Sequence, residues 1–352
     1  MNILILNTFG SKRDEDTFYA SDVMEAMNAL GNVDVLKYER TEEGYEELKR
    51  RIVGVDVMFT GWGVPKLGAD FYEAAKDLKI IAHTGGTVAD MVDENFIKRG
   101  DIRILSGNDY YAESVASATI CYILLALRKL YRTLKITEEK GWFHIDYNRG
   151  LRKRTVGLVS FGMISKHVAR MLQPFDCKVK VWSGHTISDA DKAKYNIEQC
   201  SLEELFSTSD VVSVHSGLSE KTYHLVDGRL MGMMKQDALI VNTARGAVID
   251  EAALEPLCQA GKISAILDVF EVEPLPMDSK LRGLDNVIIV PHDGGPTIDV
   301  HHLVTLGLID DVRKFFNGEN ELVNEISVEY AKNMTSNKVV SMAHHARKAN
   351  TQ

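Results

Sequence analysis

The stretch "TVGLVSFGMISKHVARML", residues 155–172, decides the fold. It opens on a strand-like apolar run and closes on a segment that sets Ile164, Val168 and Leu172 on one helical face. "CKVKVW" (177–182) follows as the next strand. Strand, tight turn, helix and parallel strand make the βαβ unit of a doubly wound α/β sheet. At that turn a dinucleotide-binding chain carries G-x-G-x-x-G, and here the three positions hold Ser160, Gly162 and Ser165. Gly162 stands where backbone must approach a pyrophosphate, and serine fits the other two positions provided φ stays negative there. The phosphates would meet backbone N–H groups of Met163 and Ile164 at the helix N-terminus. The turn reads as altered and the site as intact.

The adenosine ribose is usually held by an acid at the end of the second strand. Here that strand ends "VWSGHT", with Ser183 in the acid's place. No carboxylate there repels a 2′-phosphate, and His185 lies two residues on. The cofactor is therefore NAD or NADP, with NADP favoured.

Working outward, short apolar strands alternate with amphipathic helices from the N-terminus: "ILIL", a helix over Asp16–Leu30, "VDVLKY", a charged helix, "VDVMFTG", "KIIAHTGG" and "IRILSG". This unit closes near residue 110. A long helix is expected from Ala112 to Lys135, apolar nearly all round at its start and hence largely buried. A second βαβ series runs from Thr155 to "NVIIVPHDGG", and a helix at about 299–317 follows. Residues 336–352 read as a polar tail whose two histidines form no metal site.

A chain of 352 residues suits two domains of ordinary size. Its net charge of −9 gives no support to a nucleic-acid or anionic-membrane partner. Cys121, Cys177, Cys200 and Cys258 lie far apart with no C-x-x-C, and Cys121 and Cys177 read as buried thiols of a reducing compartment. The N-terminus has no charged n-region, and the run "ICYILLAL" falls far short of the ~20 residues a membrane span needs. A cytoplasmic protein with no metal is expected.

Chemistry is carried by three further stretches: "VNTARGAVIDEAAL" with Arg245, "AILDVFEVEPLP" with Asp268 and Glu273, and "NVIIVPHDGG" with His292. Arg245 follows a strand, so its guanidinium projects where ligands of open α/β sheets sit and can grip a carboxylate or carbonyl oxygen pair bidentately. His292 also follows a strand, and its imidazole can give a proton to a carbonyl oxygen or take one from a hydroxyl.

With these motifs the chain resembles the D-isomer-specific 2-hydroxyacid dehydrogenases over about residues 50–335. The resemblance implies a flavodoxin-like substrate domain (1–111 and 298–335) and an inserted Rossmann-type dinucleotide-binding domain (112–297), both doubly wound parallel-sheet α/β. It implies reversible NAD(P)H-dependent reduction of a 2-oxo acid to a D-2-hydroxy acid. Arg245 would hold substrate and Glu273 would orient His292, while the neighbouring Glu271 would be solvated. Asp268, Thr243 and Ala244 would line the nicotinamide. The long helix suggests a homodimer. A catalytically silent nucleotide-sensing regulator, or a dehydrogenase for formate or phosphonate, shares the same frame.

The chain also departs from the family pattern. The glycine turn for the substrate carboxylate reads "AHTGGTVADMVD", with Val88 and Met91 in place of a glycine and an asparagine. Gly86 and Thr87 would bind the carboxylate through backbone N–H groups, and His83 would either face the substrate or pack inside. Tyr111 replaces an asparagine, Ser117 a glutamate and Asp293 an apolar residue, while Trp62 in "TGWGVP" stands as a pocket wall or a core residue. These changes bear on substrate identity.

Overall fold

A computed structural model describes residues 1–142 and 148–336. The tail expected beyond residue 336 lies outside them. The chain forms two compact units, one of residues 1–111 joined by the segment from Pro296 onward, the other of Ala112–Gly295.

In the first unit the strands are β1 (Asn2–Asn7), β2 (Asn32–Lys37), β3 (Val57–Thr60), β4 (Ile80–His83) and β5 (Arg103–Ser106). They pair in parallel in the order β2-β1-β3-β4-β5, the flavodoxin-like order. In the second they are β6 (Thr155–Val159), β7 (Lys178–Trp182), β8 (Ile197–Gln199), β9 (Val211–Val214), β10 (Ala238–Asn242), β11 (Ile263–Leu267) and β12 (Val287–Ile289). Their order, β12-β11-β10-β9-β6-β7-β8, is the Rossmann order extended by one strand. Central strands such as β3, β4, β9 and β10 are buried along their whole length, because helices cover both faces of a parallel sheet. The strand order reverses between β1 and β3 in one unit and between β6 and β9 in the other.

Two helices differ from the sequence expectation. The segment read as one helix over Asp16–Leu30 is two, Lys12–Phe18 and Ser21–Asn28, with Ser11 capping the first through its bond to the Asp14 N–H. The expected Ala112–Lys135 helix breaks into Asn108–Leu127 and Leu130–Lys140. Lys129 takes a left-handed φ of 49° at the break, and neither glycine nor proline marks it in the sequence.

The Asn108–Leu127 helix buries a single stripe, Ala112, Ala116, Thr119, Ile123 and Leu127. Cys121, expected inside, is exposed on its other side, and Cys177 is only partly buried. With its small residues counted, this helix is long and apolar enough to cross a membrane, at a mean hydropathy of 1.4. Its buried stripe nonetheless packs into the core around Val156, Leu158 and Val168.

Candidate active site

The cofactor turn leaves β6 at Ser160. Ser160 takes φ of +83°, against the expectation that a serine there would keep φ negative. A side chain at positive φ is strained by about 1–2 kcal/mol. Two bonds hold the residue there: its N–H donates to Trp182 O at 2.8 Å, and its carbonyl accepts from the Ser165 hydroxyl at 2.7 Å. Ser165 is fully buried between helix and strand, where the third glycine would lie. The two serines thus replace two glycines as a bonded pair.

The helix Met163–Leu172 begins at Gly162, which offers no side-chain cap, and its first turn holds no acid. A Cβ built on Gly162 would meet nothing within 4 Å. An N-terminus with open space at its glycine suits a phosphate group. His215, just past β9 and beside the turn (its N–H donates to Val159 O), is buried with both ring nitrogens unpartnered among the described residues. Burial lowers its pKa to about 3, so the ring is neutral. A buried ring without partners at the switch point of the sheet fits a site built to take a polar ligand. No feature of the sequence singled it out. Ser183, at the end of β7, accepts a bond from the His185 N–H at 3.2 Å.

At the other end of the same sheet edge stand Arg245, Asp268, Glu273 and His292. Asn242, the last residue of β10, shapes the turn that presents Arg245: its side chain accepts from the Ala244 N–H (3.1 Å) and donates to Arg245 O (3.0 Å). Burial lowers the Arg245 pKa, opposed by the charge of Glu273, yet a guanidinium stays cationic. His292 Nδ1 lies 2.7 Å from Glu273 Oε2, and Glu273 Oε1 accepts from the Phe270 N–H at 2.9 Å. The carboxylate is therefore fixed on both oxygens, and the imidazole keeps Nε2 for other work. The bond to Glu273 raises the His292 pKa, against burial and the charge of Arg245. Burial would raise that of Glu273, but the bonds from His292 and Phe270 leave it lowered. His292 has φ of 56°, an uncommon conformation for a non-glycine residue.

Asp268 supports this loop. It is buried, and its two carboxylate oxygens accept from the N–H groups of Asp293 (2.8 Å) and Gly294 (2.9 Å). Burial raises its pKa and those N–H bonds oppose the rise. The loop that carries His292 is thereby tied to the end of β11. The hydroxyls of Thr243 and Thr119 share a hydrogen bond at 3.0 Å, and Ala244 is buried beside them.

Glu271, expected in solvent, is buried. Its Oε1 accepts from the Glu251 N–H (3.0 Å) and lies 3.1 Å from His224 Nε2, while its own N–H donates to Glu251. Gly246 presses on the Phe270–Glu271 backbone so closely that any Cβ there would overlap it. The Arg245 loop and the Glu273 loop are locked together by contacts between residues 20 or more positions apart, which no local pattern discloses.

In the other unit the glycine turn follows β4. The N–H groups of Gly86 and Thr87 donate to no group among the described residues, and Gly86 O accepts from the Ser106 hydroxyl at 2.5 Å. Of the two positions open to His83, facing the substrate or packed inside, it takes the packed one. It is buried beneath Gly85, its Nδ1 lies 3.0 Å from the Thr60 hydroxyl, and burial lowers its pKa to about 4. It props the turn from below.

Residues 120–294 match the model of the "D-isomer specific 2-hydroxyacid dehydrogenase, NAD binding domain" family. Among curated relatives, a hydroxypyruvate reductase of Thermotoga maritima is 35% identical over 82% of this chain and 94% of its own length. A glyoxylate reductase of Thermofilum pendens is 33% identical over 72% of this chain and 76% of its own. Among solved structures, the TT0316 protein of Thermus thermophilus superposes with a TM-score of 0.71 at 26% identity, over 93% of this chain and all of the other.

Proposed function

Because the chain belongs to the D-isomer specific 2-hydroxyacid dehydrogenase family, we propose that Arg245, Glu273 and His292 carry the reduction of a 2-oxo acid to its D-2-hydroxy acid. The observation that carries this reading is the 2.7 Å His292–Glu273 bond beside Arg245. Glu273 fixes the imidazole by Nδ1 and raises its proton affinity. Nε2 then protonates the carbonyl oxygen in reduction and accepts the hydroxyl proton in the reverse direction, a role worth about 10²–10⁴ in rate. Arg245 pairs with the substrate carboxylate or carbonyl oxygen. A nicotinamide cofactor, when bound, supplies or takes the hydride. In the first unit, the N–H groups of Gly86 and Thr87 are free to take a carboxylate. Asp268 and Thr243 support the nicotinamide end through the loops they tie.

For the cofactor, Gly162, Met163 and Ile164 would receive the pyrophosphate, and the hydroxyl of Ser183 in place of an acid favours NADPH over NADH. A homodimer is supported by Leu130, Tyr131 and Leu134, large apolar side chains exposed on the Leu130–Lys140 helix. A cytoplasmic setting accords with four free thiols.

The experiment is loss of NADH and of NADPH absorbance, in parallel, against a panel of 2-oxo acids, with His292→Ala as the control. Turnover that falls at least ~10²-fold in the variant, at unchanged cofactor affinity, supports the assignment. A variant that turns over normally removes His292 from the chemistry.

A further inference from the structure

The first unit reverses its strand order between β1 and β3, the place where ligands of open α/β sheets bind. The loops leaving those two strands carry Phe9 and Trp62, whose rings meet edge-to-face with centroids 6.2 Å apart. Phe18 braces both, stacked on Phe9 at 5.2 Å and edge-on to Trp62 at 5.6 Å. Tyr111 holds another edge of the indole at 5.6 Å. An indole held by three rings is normally core, yet Trp62 is 43% exposed. Its open surface is rigid and ready-made.

This wall adjoins the glycine turn. A Cβ on Gly86 would lie 3.7 Å from Tyr111 Cγ, so the Tyr111 ring packs directly against the peptide with the unpartnered N–H groups. A second observation points to a ligand as well. The hydroxyls of Thr8, Tyr19 and Tyr111, all around this cluster, are buried with no hydrogen-bond partner among the described residues. Such groups are rare in a site whose only purpose is packing.

We propose that Trp62 is a specificity-determining residue that selects 2-oxo acids with an aromatic side chain, the ring lying on the exposed indole while the carboxylate takes the Gly86 and Thr87 N–H groups. This rests on the reading of that turn as the carboxylate cradle. Aromatic pairs gain beyond the area they bury, and a preformed apolar wall loses no side-chain entropy on binding. A one- or two-carbon side chain would leave the indole uncovered. The basic group that the described contacts place beside this loop is Arg40, whose guanidinium lies against Gly63. An acid with an anionic side chain would engage Arg40 in place of the indole.

The test compares kcat/KM for phenylpyruvate and phenylglyoxylate with that for glyoxylate, pyruvate and sulfopyruvate, in the native protein, Trp62→Ala and Trp62→Phe. The native protein is expected to favour the aryl acids by roughly tenfold or more. Trp62→Ala should collapse that ratio towards one and Trp62→Phe should restore most of it, with thermal melting as the check on folding. A native preference for glyoxylate, pyruvate or sulfopyruvate overturns the inference and leaves the reaction standing, as does a ratio unmoved in Trp62→Ala. If no 2-oxo acid is turned over, the reaction reading fails. Calorimetric binding of phenylpyruvate then decides the wall alone: affinity lost in Trp62→Ala supports it, and no affinity in the native protein overturns it.

Discussion

Gly162→Ala separates the role of the cofactor turn from its place in the fold. A Cβ at this position meets no atom within 4 Å, and φ of −94° with ψ of −165° is open to any residue. Two small effects act on stability. Alanine restricts the unfolded chain, which stabilises by about 0.4–1 kcal/mol, whereas alanine is a poorer N-cap than glycine by several tenths to ~1 kcal/mol. They nearly cancel, so thermal melting should stay within about 1 kcal/mol of the native protein. The open space has a different meaning once a pyrophosphate must approach the N–H groups of Met163 and Ile164. A methyl group there holds the phosphate off, and a weakening of tenfold or more in Kd corresponds to ~1.4 kcal/mol or more. The assay is a fluorescence titration with NADPH and NADH beside a melting curve. An unchanged Kd would show that no phosphate approaches Gly162, and a large loss of stability would show that the space is not open. Either result refutes the reasoning.

Three other perturbations test the site from different sides. Reduction needs His292 protonated, and Glu273 is the main cause of its raised pKa. The kcat/KM for oxo-acid reduction should therefore fall as pH rises through that raised value, and Glu273→Gln should move the inflection to lower pH; a pH profile with a fixed inflection argues against the pair. Ser183→Asp should shift the NADPH/NADH preference towards NADH, and an unchanged ratio would show that Ser183 does not meet the ribose. His224→Gln should destabilise the protein by roughly 1–3 kcal/mol, because buried Glu271 loses a charged partner. The pKa of His224 is raised, first by its bond to Glu271. Its contribution is then full below the unfolded value near 6.5 and fades as pH rises through the folded one. Denaturant titrations of both proteins at acid and alkaline pH check this, and a difference that grows with pH contradicts it.

Fold class and the main chemistry were legible in the sequence because each is a local pattern. A strand followed by a polar turn places a side chain at a sheet edge, so Arg245, His292 and Gly162 stood out as candidates without any long-range contact, whereas Glu273 was singled out only by the family resemblance. The alternation of strand and helix in turn implied two parallel sheets, since helices must cover both faces of each.

Tertiary structure decided burial and partnership, which depend on residues distant in the chain. Glu271 looks like a solvent-facing residue until His224 and Glu251 close around it, and only Thr60 and Gly85 decide that His83 packs inside instead of facing substrate. Asp268 becomes a brace for the His292 loop only when Asp293 and Gly294 arrive in the loop beyond β12. The positive φ of Ser160 is held by its N–H bond to the Trp182 carbonyl and by the bond from the Ser165 hydroxyl, which offset a cost that local preference disfavours. The left-handed break at Lys129 has no glycine or proline to announce it. Periodicity in a sequence states which face turns inward, because that follows from backbone geometry alone. Which polar group meets which inside is set by packing, and packing exists only once the sheets have formed.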